Sequence, residues 1–479
     1  MQTKDTIREL VDGIAGRLES LRDSLYDFAE LPYREFCSSD LLIRELERNG
    51  FEVVSGAAGI PTCFYGAFTH GEGGMTAGFL GEYDALDGLS QEAGCTVHRP
   101  VRENAPGHGC GHCCLGVGSL GAAIVLKEYL VQTDLPGTVV YYGCPAEEGA
   151  GAKQFMARAG LFDRCDFIYT WHPSDKNEVD SAHMNAIMGA NFYFTGRSSH
   201  AGAAPHLGRS ALDAAELMSV GCNYLREHVI PEARIHYAYI DAGGTAPNVV
   251  QDRAVVRYEV RAPYVYQVKE LYARVVNVAR GAAMMTETQV RDELAMAFTE
   301  YLPNISLAPV ASRAMRDIGG PVWTDGDQEL GHEYLLSFPT ETQEEIKRAM
   351  RTQYGAGWEE SWTHPMDSTV RTFDVSDIRP LAGSTDVGDV GYAVPCVSIL
   401  VATCARGTVG HTWQFAGQAG SVLGTKGMLA AAKMLALAAV YTFGEPERVR
   451  KAKEEVKERN GGAYTCPLPD SVLTPIETY

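Results

Sequence analysis

The chain is short of positive charge. Its 41 lysine and arginine residues face 61 aspartates and glutamates, giving a formal net charge of −20 at pH 7. A nucleic-acid partner needs a basic footprint for its phosphates, so none is expected. The acidity reads as a means of staying soluble. Long uninterrupted apolar runs are also missing. The most apolar late stretch, GMLAAAKMLALAAVYTFG, carries Lys433 in its middle and reads as too short to span a bilayer, so no membrane partner is expected. The opening MQTKDTIRELVDGIAGRLESL has no apolar segment of the secretory-signal kind. There is no internal repeat. These absences lead to the expectation of a cytoplasmic globular protein, in which 12 cysteines serve as thiols or thiolates rather than disulfides.

What is present is ordinary globular composition, 45% hydrophobic and 21% charged, on 479 residues. That length calls for more than one core. Ile7, Leu10, Val11, Ile14, Leu18, Leu21 and Leu25 recur at helical spacing. A second helix is expected to end at the Asn49-Gly50 pair. FEVVSG, CFYGAF and MTAGFLGEYDAL read as strands, and strand-like and helix-like segments then alternate as in βαβ units with a mainly parallel sheet. Near residue 189 the texture changes to alternating strands and two amphipathic helices in the order β-α-β-β-α-β, a compact unit of its own. The buried-strand pattern returns at GYAVPCVSILVAT. The expected organisation is a discontinuous domain, 1–188 plus 304–479, with an inserted domain at 189–303. The Trp-rich stretch at 355–365 has no reading from sequence.

In a parallel α/β sheet, binding residues gather in loops at the carboxyl ends of the strands. Four such loops hold metal-competent side chains: Cys110 with His112, the adjacent Glu147-Glu148, His172, and His411. The cluster around Cys110 could be a disulfide knot, a structural zinc site, a cysteine nucleophile or part of a catalytic metal centre. A long chain with this composition does not need a knot. Structural zinc sites draw on local pairs of cysteine or histidine, whereas these residues run from 110 to 411 and include carboxylates. A cysteine nucleophile would have no use for Glu148, His172 and His411 together. Adjacent glutamates suit a division of labour in which one ligates and the other moves a proton. Five donors crowd one tetrahedral ion, so two ions sharing the thiolate is the favoured arrangement.

The stretches LGEYDALDGLSQ, GHGCGHCCLGVGSLGAA, CPAEEGAGAKQFM, GRSSHAGAAPHLGRSALDA, GGTAPNVVQDRAVVRYEVRAP and GSTDVGDVGYAVP occur in one order along most of the chain. In this the chain resembles the M20 family of metallo-aminoacylases and peptidases, on the branch that includes aminobenzoyl-glutamate hydrolases. The resemblance implies an α/β fold: a mainly parallel mixed-sheet catalytic domain, zinc-exopeptidase-like, with an inserted ferredoxin-like α+β dimerisation domain. It implies two divalent metal ions, zinc or manganese foremost and cobalt as a further candidate, held by Cys110, His112, Glu148, His172 and His411, with Cys110 bridging. Glu147 is the implied general base and Asp84 the carboxylate orienting a ligand histidine. His200 is the implied oxyanion contact, reaching across a homodimer, and Asn248 a substrate contact. The implied reaction is hydrolysis of the amide of an N-acyl or N-aroyl amino acid, or of a dipeptide, with a small carboxylate-bearing amide as partner. The alternative is a non-hydrolytic or binding-only relative, against which the intact Glu147 speaks. Cys113-Cys114 departs from the branch pattern, where Asn or Asp follows the second motif histidine. These two cysteines are expected to be buried thiols, His108 a loop-stabilising hydrogen-bonding group, and Asp386 a loop brace.

Overall fold

A computed structural model describes residues 3–474. In chain order the strands are β1 (Glu52–Ser55), β2 (Phe64–His70), β3 (Thr76–Glu82), β4 (Gly137–Cys144), β5 (Phe167–Ser174), β6 (Glu178–Val179), β7 (Ala182–Met184), β8 (Ala186–Thr195), β9 (Arg234–Asp241), β10 (Arg253–Ala262), β11 (Gln289–Phe298), β12 (Arg379–Leu381) and β13 (Cys396–Ala402). The large sheet has the order β1-β2-β4-β3-β5-β13-β6. Its four central strands, β4-β3-β5-β13, are parallel, and their carboxyl ends share one edge. The outer strands β1, β2 and β6 pair antiparallel. They are short or half-exposed, which antiparallel edges tolerate and the twice-covered centre does not.

Helices Thr3–Phe28, His112–Thr133 and Val422–Phe443 pack together over the sheet. They touch so closely that a Cβ on Gly121 would lie 2.8 Å from Leu18 Cδ1 and 3.3 Å from Ala432 Cβ. The late apolar stretch is therefore part of a 22-residue helix, longer than the sequence run suggested. It and His112–Thr133 are long and apolar enough to cross a membrane, yet 78% of each apolar window is buried inside the protein. A helix covered on all sides is apolar on all sides. Lys433 leaves this layer to pair with Asp12 at 2.6 Å.

The second sheet, in the order β11-β8-β10-β9, is antiparallel throughout, with helices Ala211–Leu225 and Val265–Thr286 packed against it. In the chain, β7, which pairs with β12 in a separate parallel ladder, lies between β6 of the large sheet and β8 of the second. The Trp-rich stretch forms a 3₁₀ turn and helix Trp358–Thr363. Trp362 is buried with Leu335, Phe338, Ile346 and Met350 in a small separate core beside the loop that follows β13. Lys347 and Arg351 lie over the rings of Trp362 and Trp358. The apolar half of this motif is packing, and its acidic half is solvated.

Asp389 yields a pH prediction. It is buried, accepts hydrogen bonds from Thr299 N at 3.2 Å and Tyr464 Oη at 2.8 Å, and burial pushes its carboxyl up to about 8. In the unfolded chain an aspartate ionises near about 3.9. Between these values the native state alone keeps the proton, so stability falls as pH rises. Asp389→Asn removes that loss. In thermal melts the variant is expected to gain about 3 °C or more over wild type near pH 8.5, with the gain shrinking toward pH 4.

Candidate metal centre

The four parallel strands deliver their ends to one place. Asp84 lies two residues past β3, Glu147 and Glu148 three and four past β4, His172 on β5, and His411 in the loop after β13. His112 opens helix His112–Thr133, with Gly111 before it at φ +77°. A side chain on Gly111 would press on Pro173 and Phe415 at 3.0 and 3.1 Å. Two non-glycine residues beside the proton- and metal-competent groups are left-handed, Ala146 at φ +61° and His411 itself at φ +58°. Such conformations carry a cost and persist where the surroundings hold them.

Cys110, His112 and His172 offer ligand atoms all within 4.8 Å of one another, and so do Cys110, Glu148 and His411. Cys110 belongs to both groups. Its sulfur is 3.3 Å from His172 Nε2, while Glu148 reaches His411 Nε2 at 3.5 Å and His112 Nε2 at 4.0 Å. His112 Nδ1 donates to Asp84 Oδ1 at 2.8 Å, and the other Asp84 oxygen accepts the Glu148 amide at 2.8 Å. One carboxylate thus orients two candidate ligands. His172 Nδ1 donates to Pro173 O at 2.7 Å, which turns Nε2 toward Cys110. His112 Nε2 and Glu148 Oε1 are buried with no hydrogen-bond partner among the described residues, the nearest acid to Nε2 being Glu82 Oε2 at 3.3 Å. Buried polar atoms are rarely left so. A thiolate, imidazoles and a carboxylate suit divalent first-row metals, and these residues fit such ions.

The electrostatics agree. Burial, and next the negative Glu148, push the Cys110 thiol up. Burial, followed by Glu82, Asp386 and Glu148, raises Glu147 well above the usual carboxylate range. Burial and the neighbouring His112 hold His172 down at about 4. For His112 burial works the other way but loses to Asp84 and Cys110, which raise it. The pocket holds more negative charge than its own cations offset, and a dication in it would reverse the upward shifts of Cys110, Glu147 and His112 while holding His172 lower still.

A cavity of about 1060 Å³ opens from this cluster. Its lining includes Glu147, Ile187 and Phe298 of the second sheet, and Arg261, Arg371 and Arg379, of which Arg371 pairs with Glu178 at 2.8 Å. Its size is at the top of the range for small-molecule sites. The sequence description of peptidase family M20/M25/M40 matches residues 78–413. The chain belongs to this family.

A p-aminobenzoyl-glutamate hydrolase chain of Escherichia coli (strain K12) is 38% identical over 474 residues, 97% of each chain. The Xaa-Arg dipeptidase of Mus musculus is 26% identical, over 94% of this chain and 91% of its own. Among solved structures, an aminobenzoyl-glutamate utilization protein from Klebsiella pneumoniae superposes with a TM-score of 0.62 at 19% identity, covering 92% of this chain and 98% of its own. A dinuclear metal-binding M20 peptidase from Bacillus subtilis gives 0.58 at 17%, covering 90% and 99%. These two share the fold. The M20 chain is an amidohydrolase, and none of the named relatives speaks for a binding-only role.

The M20 fold does not bring every residue marked in the sequence to the cluster. His200, in the loop after β8, and Asn248, in the loop between β9 and β10, are exposed and do not line the cavity. Their loops meet each other, with Ala201 N donating to Asn248 O and His200 bridging to Val249. His200 Nδ1 accepts the amides of Gly202 and Ala203, so Nε2 carries the proton. His108 ties its loop to the first helix through Leu25 O at 2.9 Å. Cys113 and Cys114 are fully buried.

Two residues next to the cluster escaped the sequence reading. Lys153, wholly buried, pairs with Glu82 at 2.7 Å and with Asp386 at 2.6 Å. Asp386 also accepts the amides of Ala152 and Lys153, both at 3.0 Å, and so braces the start of the helix after Glu148. Glu82 was recoverable as the acid that ends β3, two residues before Asp84. Nothing in the sequence marks Lys153.

Asp84→Asn is expected to weaken metal affinity by about 10- to 100-fold, because the amide turns a donor toward one of its two partners. Titration of the apo-protein with zinc, read calorimetrically, measures it.

Proposed function

We propose that this M20 amidohydrolase binds two divalent ions, zinc or manganese, through Cys110, His112, Glu148, His172 and His411, and cleaves the amide of an N-acyl or N-aroyl amino acid of the aminobenzoyl-glutamate kind. Cobalt suits the same donors. The observation that carries this reading is the pair of ligand groups sharing Cys110, each with a member, His112 or Glu148, that has a buried atom lacking a hydrogen bond among the described residues. When bound, the ions supply charge stabilisation at the scissile carbonyl oxygen and ease the ionisation of water. The protein's own groups do the rest. Asp84 holds the His112 ring through Nδ1, which leaves Nε2 as the ligating nitrogen. Glu147 takes the proton from the attacking water and returns it to the departing amine. The cavity arginines suit a substrate carboxylate, and Ile187, Met296 and Phe298 give an acyl or aroyl group an apolar wall.

The working form in this reading is a homodimer in the cytoplasm. Strand β9 is an edge of its sheet, and Ile240 on it and Val220 and Tyr224 on helix Ala211–Leu225 are exposed at 57, 50 and 77%. A second copy covering that face would carry its His200 toward the open side of this cluster, where the His411 side chain is 58% exposed. There the His200 Nε2–H would meet the developing oxyanion, and Asn248 on the neighbouring loop would meet the substrate. All 12 cysteines are unpaired, which suits a reducing compartment. Mixing His200→Ala with Glu147→Ala subunits is expected to restore about a quarter of wild-type activity, because random pairing makes half the dimers mixed and each mixed dimer holds one intact site. Heterodimers that form without activity would exclude the shared site.

The test of the reaction is hydrolysis of a panel of N-acyl amino acids, aminobenzoyl-glutamate included, with added zinc or manganese and a chelator control. Chelator-sensitive release of a free amino acid is expected. Folded, metal-loaded protein that hydrolyses none of the panel would overturn the substrate class.

A further inference from the structure

The turn that presents Glu147 and Glu148 is held from an unexpected quarter. Ala146, just before them, is fully buried and left-handed at φ +61°. For a residue with a Cβ this conformation is costly and needs outside support. Its amide donates to Glu35 Oε1 at 2.9 Å, a side chain 111 residues earlier in the chain. Glu35 itself is fully buried. The same Oε1 accepts the Tyr33 amide at 2.9 Å, and Thr62 Oγ1 donates to Oε2 at 2.9 Å. Tyr33 is left-handed as well, at φ +60°, and its hydroxyl donates to Gly151 O at the far end of the same turn. Gly151 N closes the turn onto Ala146 O at 3.0 Å. Three residues before Tyr33, Glu30 O accepts the amide of Ala85, next to Asp84. The segment from Glu30 to Glu35 therefore grips the two loops that carry Asp84 and the glutamate pair.

We propose that Glu35 is a positioning residue: its carboxyl holds Ala146 in the left-handed conformation and so aims Glu147 and Glu148. The inference rests on the roles proposed for those two glutamates. Glu35 is fully buried and does not line the cavity, so it acts through the turn. An acceptor at Oε1 is all the role demands, so an amide in its place serves equally. Without an acceptor the Ala146 amide is a buried orphan, and the turn relaxes toward ordinary φ.

Three variants and one double variant test this. Glu35→Met fills the same space without an acceptor, Glu35→Gln keeps the acceptor, and Ala146→Gly removes the cost of positive φ. Two readouts are taken: amide hydrogen exchange of the peptide spanning 145–151 in the metal-free protein, and kcat and KM on the panel substrate it hydrolyses best. Glu35→Met is expected to speed exchange in that peptide, and to lower kcat by about 100-fold with KM nearly unchanged, the cost of reacting groups misplaced by about 1 Å. Glu35→Gln is expected to match wild type in both readouts. Adding Ala146→Gly to Glu35→Met is expected to regain about tenfold in kcat, because glycine enters the left-handed region freely. If Glu35→Met does not fold, Glu35→Asp replaces it, since its carboxyl falls about 1.5 Å short of Ala146 N.

Wild-type exchange and kcat in the acceptor-free variant would overturn the proposal. So would a loss that Glu35→Gln shares or that Ala146→Gly leaves in place, which would mark Glu35 as ordinary buried structure. The exchange readout needs no substrate. If the panel is silent, faster exchange in Glu35→Met still upholds the grip on the turn, while the fault lies with the reaction assigned to the site.

Discussion

Glu147→Gln is expected to lower kcat by about 10³- to 10⁴-fold, at the upper end of what one proton-transferring side chain contributes. The amide keeps the shape and the burial of the carboxyl and loses only the ability to take a proton. Metal content is expected to be unchanged, because Glu147 belongs to neither of the two groups that share Cys110. KM is expected to move little, since the substrate's carboxylate and acyl ends meet other parts of the cavity. The raised proton affinity of Glu147 has an architectural origin. Burial comes first, then the negative charges of Glu82 and Asp386 behind it, with Lys153 keeping those two paired. A kcat within threefold of wild type, in protein with its full metal complement, would remove Glu147 as the base.

Cys110→Ala should have the widest effect on the metal content. Every other candidate ligand of the two groups serves one of them, whereas Cys110 serves both. Its loss is therefore expected to weaken both ions by more than the roughly 10- to 100-fold typical of a lost supporting residue. His172→Ala is the control, expected to empty one position and leave the other. Measured by elemental analysis after dialysis, Cys110→Ala would retain well below one ion per chain and His172→Ala close to one. Two ions retained after Cys110→Ala would show that the sulfur bridges nothing.

The cluster was legible because its chemistry is concentrated at strand ends. In a parallel sheet those ends lie on one edge, so loops far apart in sequence converge without any local signal. That is how residues as distant as Cys110 and His411 could be grouped from sequence. Composition and strand-helix alternation likewise sufficed for the α/β class and for the β-α-β-β-α-β order of the second sheet. Strands β1 and β2 were legible as FEVVSG and CFYGAF, but their antiparallel pairing was not, and the two-residue β6 carries too little periodicity to be read at all. The late apolar stretch was read as too short to span a bilayer because VLGTK, the first turn of helix Val422–Phe443, precedes it without being part of the apolar run. Glu35 and Lys153 were invisible for another reason. Their importance comes from what they touch, Ala146 on one side and Glu82 with Asp386 on the other, and contacts of that kind leave no pattern in a single chain.

The most direct test of the two-metal reading is an anomalous-scattering map, collected at the zinc edge, of crystals of the zinc-loaded protein. Two peaks are expected, both within bonding distance of Cys110 Sγ, one also beside His112 and His172 and the other beside Glu148 and His411. A single peak, or two peaks with Cys110 turned away from either, would contradict the shared-thiolate centre on which the proposed mechanism stands.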